Sequence, residues 1–346
     1  MVNSRELVES ALGMDETERI PAMYQYLSGG PEPFNNIGLL MEECYHDAHK
    51  FARASKAVQE SFGYDNVMAG WGCIVLEAHT MGTEVAFPRT NAYPQTLRPA
   101  LTSLEMMDGL QPADPWDNDL MRIRLQASGI LVREYGEDLA IMGNMLAPAM
   151  IAWELRGYED QLMDMFFNKD LAHQYLGVIS ESVRLHGERL YEQGVDIIFL
   201  EDDFTANAEY VPVETAREFD LDYAAICVKD LQKMGHRVII HNCTKLPLIE
   251  EQVDVLRPEG IHYNAENVPE HAAVCQRLKG ITCLCPGVPE DLVYDGPEMK
   301  ITASVNKIAA DVNDHPGFIM ASAYEVPFKT KPEHQKALVN AIHSLR

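Results

Sequence analysis

Residues 195–202 read VDIIFLED, and residues 237–243 read RVIIHNC. Each stretch is a short run of apolar residues that ends in polar ones and precedes a longer segment of helical periodicity. Four more runs have the same character: Asp138–Met145, Gly260–Asn264, Ile281–Cys285 and Phe318–Ala323. Because these runs are apolar on both faces and alternate with helices, they indicate a parallel sheet covered by helices.

Two earlier runs, Arg19–Met23 and Asn66–Gly70, bring the number of predicted strands to eight. Eight βα units close a barrel of the TIM type, whereas six in an open sheet would form a doubly wound fold. No GxGxxG or GxxxxGK[ST] motif follows any of the runs, so the usual signature of a nucleotide-binding open sheet is missing. We therefore predict an α/β protein, a single (β/α)8 TIM barrel over residues 1–346, with a mainly helical N-terminal extension over about 1–63.

The segments between the predicted strands have the period of amphipathic helices. The first of them, residues 37–62, is predicted as one continuous helix that ends at Gly63. The later helices are predicted at about 146–193, 213–234, 246–256, 267–278, 297–313 and 331–345.

The composition limits the partners of the chain. Its 346 residues include 28 Lys and Arg against 53 Asp and Glu, a net charge of −25 with no basic run, so neither nucleic acid nor an anionic membrane is an expected partner. No apolar stretch approaches the roughly 18 residues of a membrane span, and the N-terminus does not resemble a signal peptide. The seven cysteines, an odd number, argue against a disulfide framework. We expect a cytoplasmic protein with free thiols, some of them available to a metal.

Polar residues end one predicted strand in a pattern that suits zinc. Ligands of α/β sheets and barrels gather at the carboxyl ends of the strands. His241 and Cys243 lie there two positions apart, so their side chains point to the same side of the strand. Imidazole nitrogen and thiolate sulfur are zinc ligands, and a catalytic zinc takes three protein ligands and leaves one position open. The alternative is a hydrogen-bonded histidine beside a half-buried free cysteine.

Three other strand ends carry candidate residues. The carboxylates Glu201–Asp203 suit a cation, a general base or the support of a metal, or else form a solvated acidic loop. Cys283 and Cys285 share one face of their strand; Cys285, nearer the strand end, could supply a third soft ligand, whereas Cys283 has the position of a core residue. Tyr324 follows the last strand, where a phenol either positions a substrate or lies at the rim in water.

The order of these motifs resembles the uroporphyrinogen decarboxylase-like superfamily and, within it, the zinc- and corrinoid-dependent methyltransferases. The resemblance covers almost the whole chain. The segment most specific to the methyltransferases is IIHNCTK, which is similar to their His-x-Cys-Gly motif. The other segments that carry the resemblance are ERIPAM at 18–23, the stretch 139–176, GVDIIFLEDDFTAN at 194–207, GIHYN at 260–264, and GFIMASAYEVP at 317–327 with KPEH after it.

The resemblance implies a TIM barrel in which His241 and Cys243 bind zinc and Asp202 matches an acidic residue of the family. Two departures matter. The family's third zinc ligand, a Cys after the last strand, falls on Tyr324, and the Gly after His-x-Cys is Thr244. The third ligand therefore stays open between Cys285, a carboxylate of Glu201–Asp203, and Tyr324 itself.

The predicted function is a zinc-dependent methyltransferase that moves a methyl group between a small methylated compound and a corrinoid on a partner protein. Asp202 and Tyr324 would orient the substrate or manage its proton. The missing Cys makes the metal a harder Lewis acid, which favours an O-methyl substrate such as a methoxylated aromatic. Methyl transfer from a corrinoid to a thiol is one alternative.

A second alternative is a metal-free decarboxylase or lyase of the same barrel, with Asp202 as the acid. The related decarboxylases hold a polycarboxylate tetrapyrrole with an Arg-rich N-terminal motif, and the matching stretch Pro21–Gly30 has no Arg or Lys. A third alternative, a non-enzymatic accessory that binds the corrinoid protein, would leave the polar groups at the strand ends unexplained.

Overall fold

Eight parallel strands form the centre of the molecule. The computed structural model describes residues 3–25, 31–69, 74–87, 93–203 and 205–345. The strands are β1 Ala22–Met23, β2 Asn66–Ala69, β3 Glu84–Ala86, β4 Gln95–Arg98, β5 Ala140–Leu146, β6 Ile197–Glu201, β7 Arg237–Asn242, β8 Gly260–Asn264, β9 Cys283–Val288 and β10 Met320–Ser322. The barrel order is β1-β10-β9-β8-β7-β6-β5-β2, and β3 and β4 pair separately as an antiparallel hairpin. The TIM barrel predicted from the sequence is confirmed.

The barrel closes between β1 and β2 through side chains as well as backbone. The amide of Asp65 donates to the carbonyl of Ala22 at 2.8 Å. The side-chain amide of Asn66 then bridges Tyr24, accepting from its N–H at 3.0 Å and donating to its carbonyl at 2.9 Å. An Asn side chain thus continues the strand ladder where the two-residue β1 offers little backbone to pair.

Helices surround the strands. They are α1 Ser4–Leu12, α2 Pro31–Ile37, α3 Met41–Cys44, α4 Ala48–Phe62, α5 Leu76–Thr80, α6 Asp119–Tyr135, α7 Pro148–Arg156, α8 Tyr158–Phe167, α9 Lys169–Glu192, α10 Val213–Ala216, α11 Asp222–Met234, α12 Ile249–Leu256, α13 His271–Arg277, α14 Glu290–Asp295, α15 Glu298–Val312 and α16 Pro332–His343. A π-helical turn, Arg217–Leu221, joins α10 to α11. Strands β5, β6, β8 and β9 are buried along their whole length, which explains their largely apolar sequences.

The prediction of one helix over residues 37–62 is wrong. The chain leaves the helical region at Gly38, whose φ of +68° favours glycine, forms the short helix α3, and begins a new helix at α4. Asp47 begins α4 because its side chain accepts hydrogen bonds from the amides of His49 and Lys50. The predicted end is confirmed, since Gly63 adopts a φ of +83° and its amide bonds to Gln59. The segment 146–193 is likewise three helices, divided at Gly157 and Asn168.

Candidate active site

The register of three neighbouring strands brings one glutamate and two histidines to the same level of the barrel. Glu201 on β6 pairs with His241 on β7, which in turn pairs with His262 on β8. Paired residues of parallel strands share a face, so these three side chains point to the same side of the sheet. The ring of Phe199 packs below them, with its centroid 5.2 Å from that of His241. Asp203 and Cys243, two residues further along their segments, reach the same side at the mouth of the barrel.

Asp203, His241 and Cys243 form a donor set for a metal ion. One ligand atom of each lies within 4.8 Å of the other two, and the Cys243 thiol donates to Oδ2 of Asp203 at 3.3 Å. Ligand atoms of a tetrahedral zinc site lie roughly 3.5 Å apart, so a small contraction would close this group around an ion. No other group of three such residues occurs in the part of the chain that the structure describes.

The protons of the two histidines are fixed by their hydrogen bonds. Nε2 of His262 lies 3.0 Å from the carbonyl oxygen of Ser322, which only accepts, so this nitrogen carries the proton. Burial lowers the pKa of His262 to about 4, so its Nδ1 is unprotonated and accepts from Nδ1 of His241 at 2.7 Å. Nε2 of His241 therefore carries a lone pair, and this buried atom has no hydrogen-bond partner among the described residues.

The pKa values of the three donor residues indicate that a bound cation would stabilise their metal-binding forms. Burial raises the pKa of Asp203 to about 6. Burial and then the carboxyls of Asp203 and Glu201 raise the pKa of the Cys243 thiol well above its usual value. Burial and then His262 hold the pKa of His241 well below 6.5, so its ring is neutral. A bound cation would favour the ionised carboxyl and thiol and would use the unpaired nitrogen. Nitrogen, sulfur and oxygen donors together fit zinc.

The donor set opens into a cavity of about 320 Å³ at the mouth of the barrel. This volume is at the small end of the range of about 300–1,000 Å³ that is usual for ligand sites. Its lining combines large apolar and aromatic side chains, Met150, Trp153 and Tyr210, with the carboxyls of Glu201 and Glu290. None of the described residues that line it is a Lys or an Arg.

The structure brings Tyr324 to this cavity, as the sequence predicted, but not Asp202 or Cys285. The ring of Tyr324 stacks on His241, with centroids 6.0 Å apart and planes at 25°. Asp202 alternates away from the cavity, where its Oδ2 accepts from Gln252 at 2.8 Å. Cys285 lies buried on β9, level with His262, and its sulfur is 3.9 Å from that of Cys283.

The carboxyl of Asp202 lies instead beside another buried carboxyl, that of Asp220. The neighbouring carboxyl of Asp220 lies close enough to Asp202 for the two to interact electrostatically. Burial raises the pKa of both carboxyls. Thr205 completes the group by donating to Asp220. The contacts of Asp202 with Gln252 and of Asp220 with Thr205 hold the start of the loop after β6, and Asp203 lies in the same loop.

Sequence reasoning named Glu201–Asp203 as candidates but assigned the catalytic role to Asp202, and it missed Glu290 and the aromatic residues Trp153 and Tyr210. Side chains alternate along a strand, so Glu201 and Asp203 point to one side and Asp202 to the other. Pairing Glu201 with His241 would therefore have identified the acids that face the site. Trp153 on α7 and Tyr210 in the loop after β6 follow no strand directly, and no sequence motif marks them. Of Pro21–Gly30, residues 26–30 lie outside the described residues.

Fold and site together define a TIM-barrel protein with a metal-type donor set at the carboxyl ends of its strands. The chain belongs to the Uroporphyrinogen decarboxylase (URO-D) family, whose model matches residues 3–345.

Among curated proteins, the chain is 22% identical over 302 residues to the methylcobamide:CoM methyltransferase MtbA of Methanosarcina mazei, covering 83% of this chain and 86% of that one. It is 23% identical over 245 residues to the methylcobamide:CoM methyltransferase MtaA of Methanosarcina barkeri, covering 69% of each. Among solved structures, a methyltransferase from Methanosarcina mazei superposes with a TM-score of 0.88 at 20% identity, over 99% of this chain and 98% of that one.

Proposed function

We propose that the protein is a corrinoid-dependent methyltransferase that transfers a methyl group from a methylated corrinoid protein to a small thiol. The observation that carries this proposal is the donor set Asp203, His241 and Cys243 beside a small cavity. The curated relatives support the chemistry, since their names describe methyl transfer between a methylcobamide and a thiol cofactor, CoM.

Asp203, Nε2 of His241 and Cys243 would hold a zinc ion in this proposal. When bound, zinc supplies the Lewis acidity that keeps a thiol ionised near neutral pH. His262 is a positioning residue, because its acceptor nitrogen holds the proton of His241 on Nδ1 and leaves Nε2 free. Asp203 would serve as the third ligand, where the resembling methyltransferases use a third Cys.

The reaction is a displacement at the methyl carbon. The thiol of the acceptor loses its proton to solvent, and the sulfur attacks the methyl group of the corrinoid substrate. The new S–C bond forms as the Co–C bond breaks, and the electron pair of that bond stays with cobalt. Tyr324 stacks on His241 and lines the cavity, so it positions the acceptor. Asp202 is proposed as a positioning residue for the loop that carries Asp203, through Gln252 and Asp220.

The other functions expected from the sequence have less support. An O-methyl donor remains a prediction, since the relatives are named for a thiol acceptor. A decarboxylase for a polycarboxylate would need cations, and the described residues of the cavity include no Lys or Arg. In the described part of the chain, none of the helices has the length and apolarity to cross a bilayer. A reducing cytoplasm, the expected location, would keep Cys243 available as a ligand.

Methyl transfer from free methylcobalamin to 2-mercaptoethanol tests the proposal. Zinc-loaded protein should catalyse this reaction, measured by the absorbance change of the corrinoid and by mass analysis of the methylated thiol. Cys243→Ala should lower the rate by at least about a hundredfold, beyond the 10–100-fold typical of an outer-shell change. Cys227→Ala, a buried cysteine on α11, is the matched control and should leave the rate unchanged. Absence of transfer by the zinc-loaded protein, or full transfer by Cys243→Ala, would contradict the proposal.

A further inference from the structure

The cavity beside the donor set is lined by two glutamates that do not belong to that set. Glu201 is only 2% exposed, lines the cavity, and its Oε2 has no hydrogen-bond partner among the described residues. Glu290 lines the same cavity, and the carboxyl of Glu325 lies close enough to Glu201 to act on it electrostatically. A buried carboxyl oxygen without a donor is costly, so its retention at a cavity indicates that a bound group supplies the donor.

The aromatic residues of the same cavity give it the composition of a site for an organic cation. Together they are called the aromatic wall. Trp153 and Tyr210 line the cavity, and Tyr158 connects them, with ring centroids 5.6 Å from Trp153 and 6.1 Å from Tyr210. The faces of such rings attract ammonium groups, and aromatic residues combined with carboxyls are a common way to bind them. Tyr324 adds a fourth ring at the level of His241.

An anionic acceptor does not fit these surroundings. A sulfonate or carboxylate placed in the cavity would face Glu201 and Glu290, with no Lys or Arg among the described lining residues to offset it. Burial of a charge without a partner is expensive, and contact between like charges costs several kcal/mol at an interface. The same cavity would lower the energy of a substrate that carries a positive charge.

We propose that the methyl acceptor is a small thiol that also carries a protonated amine, with its ammonium group bound by Glu201 and the aromatic wall. This inference rests on the proposed function, because the sulfur of the acceptor occupies the open position beside Asp203, His241 and Cys243. The acceptor loses its thiol proton to solvent, and its sulfur forms the S–C bond as the Co–C bond breaks. The product is the S-methylated aminothiol, a thioether. The ammonium group keeps its protons and charge throughout, so it contributes binding and orientation only.

Three two-carbon thiols that differ only in their second group test the proposal. They are cysteamine, with an ammonium group, 2-mercaptoethanol, which is neutral, and 2-mercaptoethanesulfonate (coenzyme M), which is an anion. The zinc-loaded protein and free methylcobalamin are used throughout, and kcat/KM is measured for each thiol. We expect cysteamine to exceed the sulfonate by at least about tenfold, the factor that 1.4 kcal/mol of differential binding gives.

A charge-neutralising variant separates the effect of the cavity from the intrinsic reactivity of the thiols. Glu201→Gln should reduce the ratio of cysteamine to sulfonate several-fold, mainly through KM. The change of the exposed residue Glu298→Gln should leave the ratio unchanged. Glu290→Gln should reduce the ratio in the same direction, and it serves as the second variant if Glu201→Gln does not fold.

The outcomes separate a failure of the proposed methyl transfer to thiols from a failure of the proposed cationic acceptor. If no thiol is methylated, the proposed function fails. If the sulfonate is the best acceptor, or if neither glutamate variant changes the ratio, thiol methylation stands and the cationic acceptor is rejected. A preference for cysteamine that depends on Glu201 or Glu290 supports the inference.

Discussion

Asp65 and Glu201 are both buried carboxyls of the barrel, but they lie at its opposite ends and have opposite surroundings. Asp65 precedes β2 at the amino-terminal end and is 1% exposed. Its two oxygens accept hydrogen bonds from four residues: Ser4, Arg19, Ala22 and His343. Glu201 ends β6 at the carboxyl end, is 2% exposed, and has an oxygen with no partner in the described part of the chain.

The difference shows how the barrel divides stability from function. At the amino-terminal end, Asp65 joins α1, β1 and α16 to the seam of the barrel, and every donor it needs comes from the protein. At the carboxyl end, Glu201 and His241 each have a buried polar atom without a partner among the described residues, which a ligand at the proposed site would supply. Residues at the bottom face of a TIM barrel generally serve stability, and those at the top serve binding and catalysis.

The largest effect on stability is expected from Asp65→Asn. The change removes the charge that pairs with Arg19 and leaves the guanidinium with a weak acceptor, so unfolding should become easier by about 3 kcal/mol. Urea unfolding followed by circular dichroism measures this difference. Asp119→Asn, which breaks an exposed ion pair with Arg122, is the control and should change the free energy of unfolding by less than about 1 kcal/mol. Equal effects of the two changes would refute the structural role of Asp65.

The contribution of Asp65 should also depend on pH. Burial alone would raise the pKa of Asp65, but hydrogen bonds from Arg19, His343 and Ser4 outweigh it and hold the pKa below the ordinary 3.8. The unfolded chain therefore takes up this proton at a higher pH than the folded protein. The stabilisation is complete well above pH 3.8 and is lost as the pH falls through that value toward the lower folded pKa. The difference between wild type and Asp65→Asn should shrink accordingly in acid.

His262→Phe tests the carboxyl end of the barrel. The hydrogen bond between His241 and His262 is proposed to prepare His241 for metal binding. Without its acceptor, His241 no longer holds its proton on Nδ1, and zinc affinity should fall 10–100-fold. Competition with a chelating dye measures the affinity, and ¹⁵N NMR of the metal-free protein shows which nitrogen of His241 is protonated. His262→Gln, whose side-chain oxygen can accept, should restore part of the affinity. A proton that stays on Nδ1 in His262→Phe would show that His262 does not position the ring.

Glu201→Gln is expected to have the smallest effect on stability. The substitution replaces a buried carboxyl, whose pKa burial and then the carboxyl of Asp203 raise well above its usual value, by an amide of the same shape. No Lys or Arg among the described residues that line the cavity loses a partner. The free energy of unfolding of the metal-free protein should stay within about 1 kcal/mol of wild type, or rise slightly. The urea experiment used for Asp65→Asn applies here too. A loss as large as that of Asp65→Asn would mean that Glu201 is structural, and the contrast between the two ends would fail.

The strands of the fold could be predicted from the sequence because a parallel sheet buries both faces of each strand. All eight predicted runs are strands of the barrel, with ends that differ by a few residues. The helices were harder to divide, because breaks such as those at Gly38 and Gly157 depend on single residues inside long amphipathic stretches. Asp47 was a readable signal for the start of α4, since its side chain caps two amides.

The site was predictable only in part. His241 and Cys243 share one strand, so their convergence followed from alternation alone. The choice between Asp202 and Asp203 required the register of β6 against β7, which pairs Glu201 with His241 and turns Asp202 away. Trp153, Tyr210 and Glu290 belong to elements whose approach to the mouth depends on tertiary packing.

Zinc content tests the central claim, that Asp203, His241 and Cys243 hold a metal at the mouth of the barrel. Each protein is stripped with a chelator, reloaded with zinc, dialysed and measured by elemental analysis. Wild type, Cys285→Ala and Asp202→Ala should each retain about one zinc per chain, whereas Cys243→Ala and Asp203→Ala should retain almost none. Wild type without zinc, or full retention by Cys243→Ala together with loss in Cys285→Ala, would contradict the account.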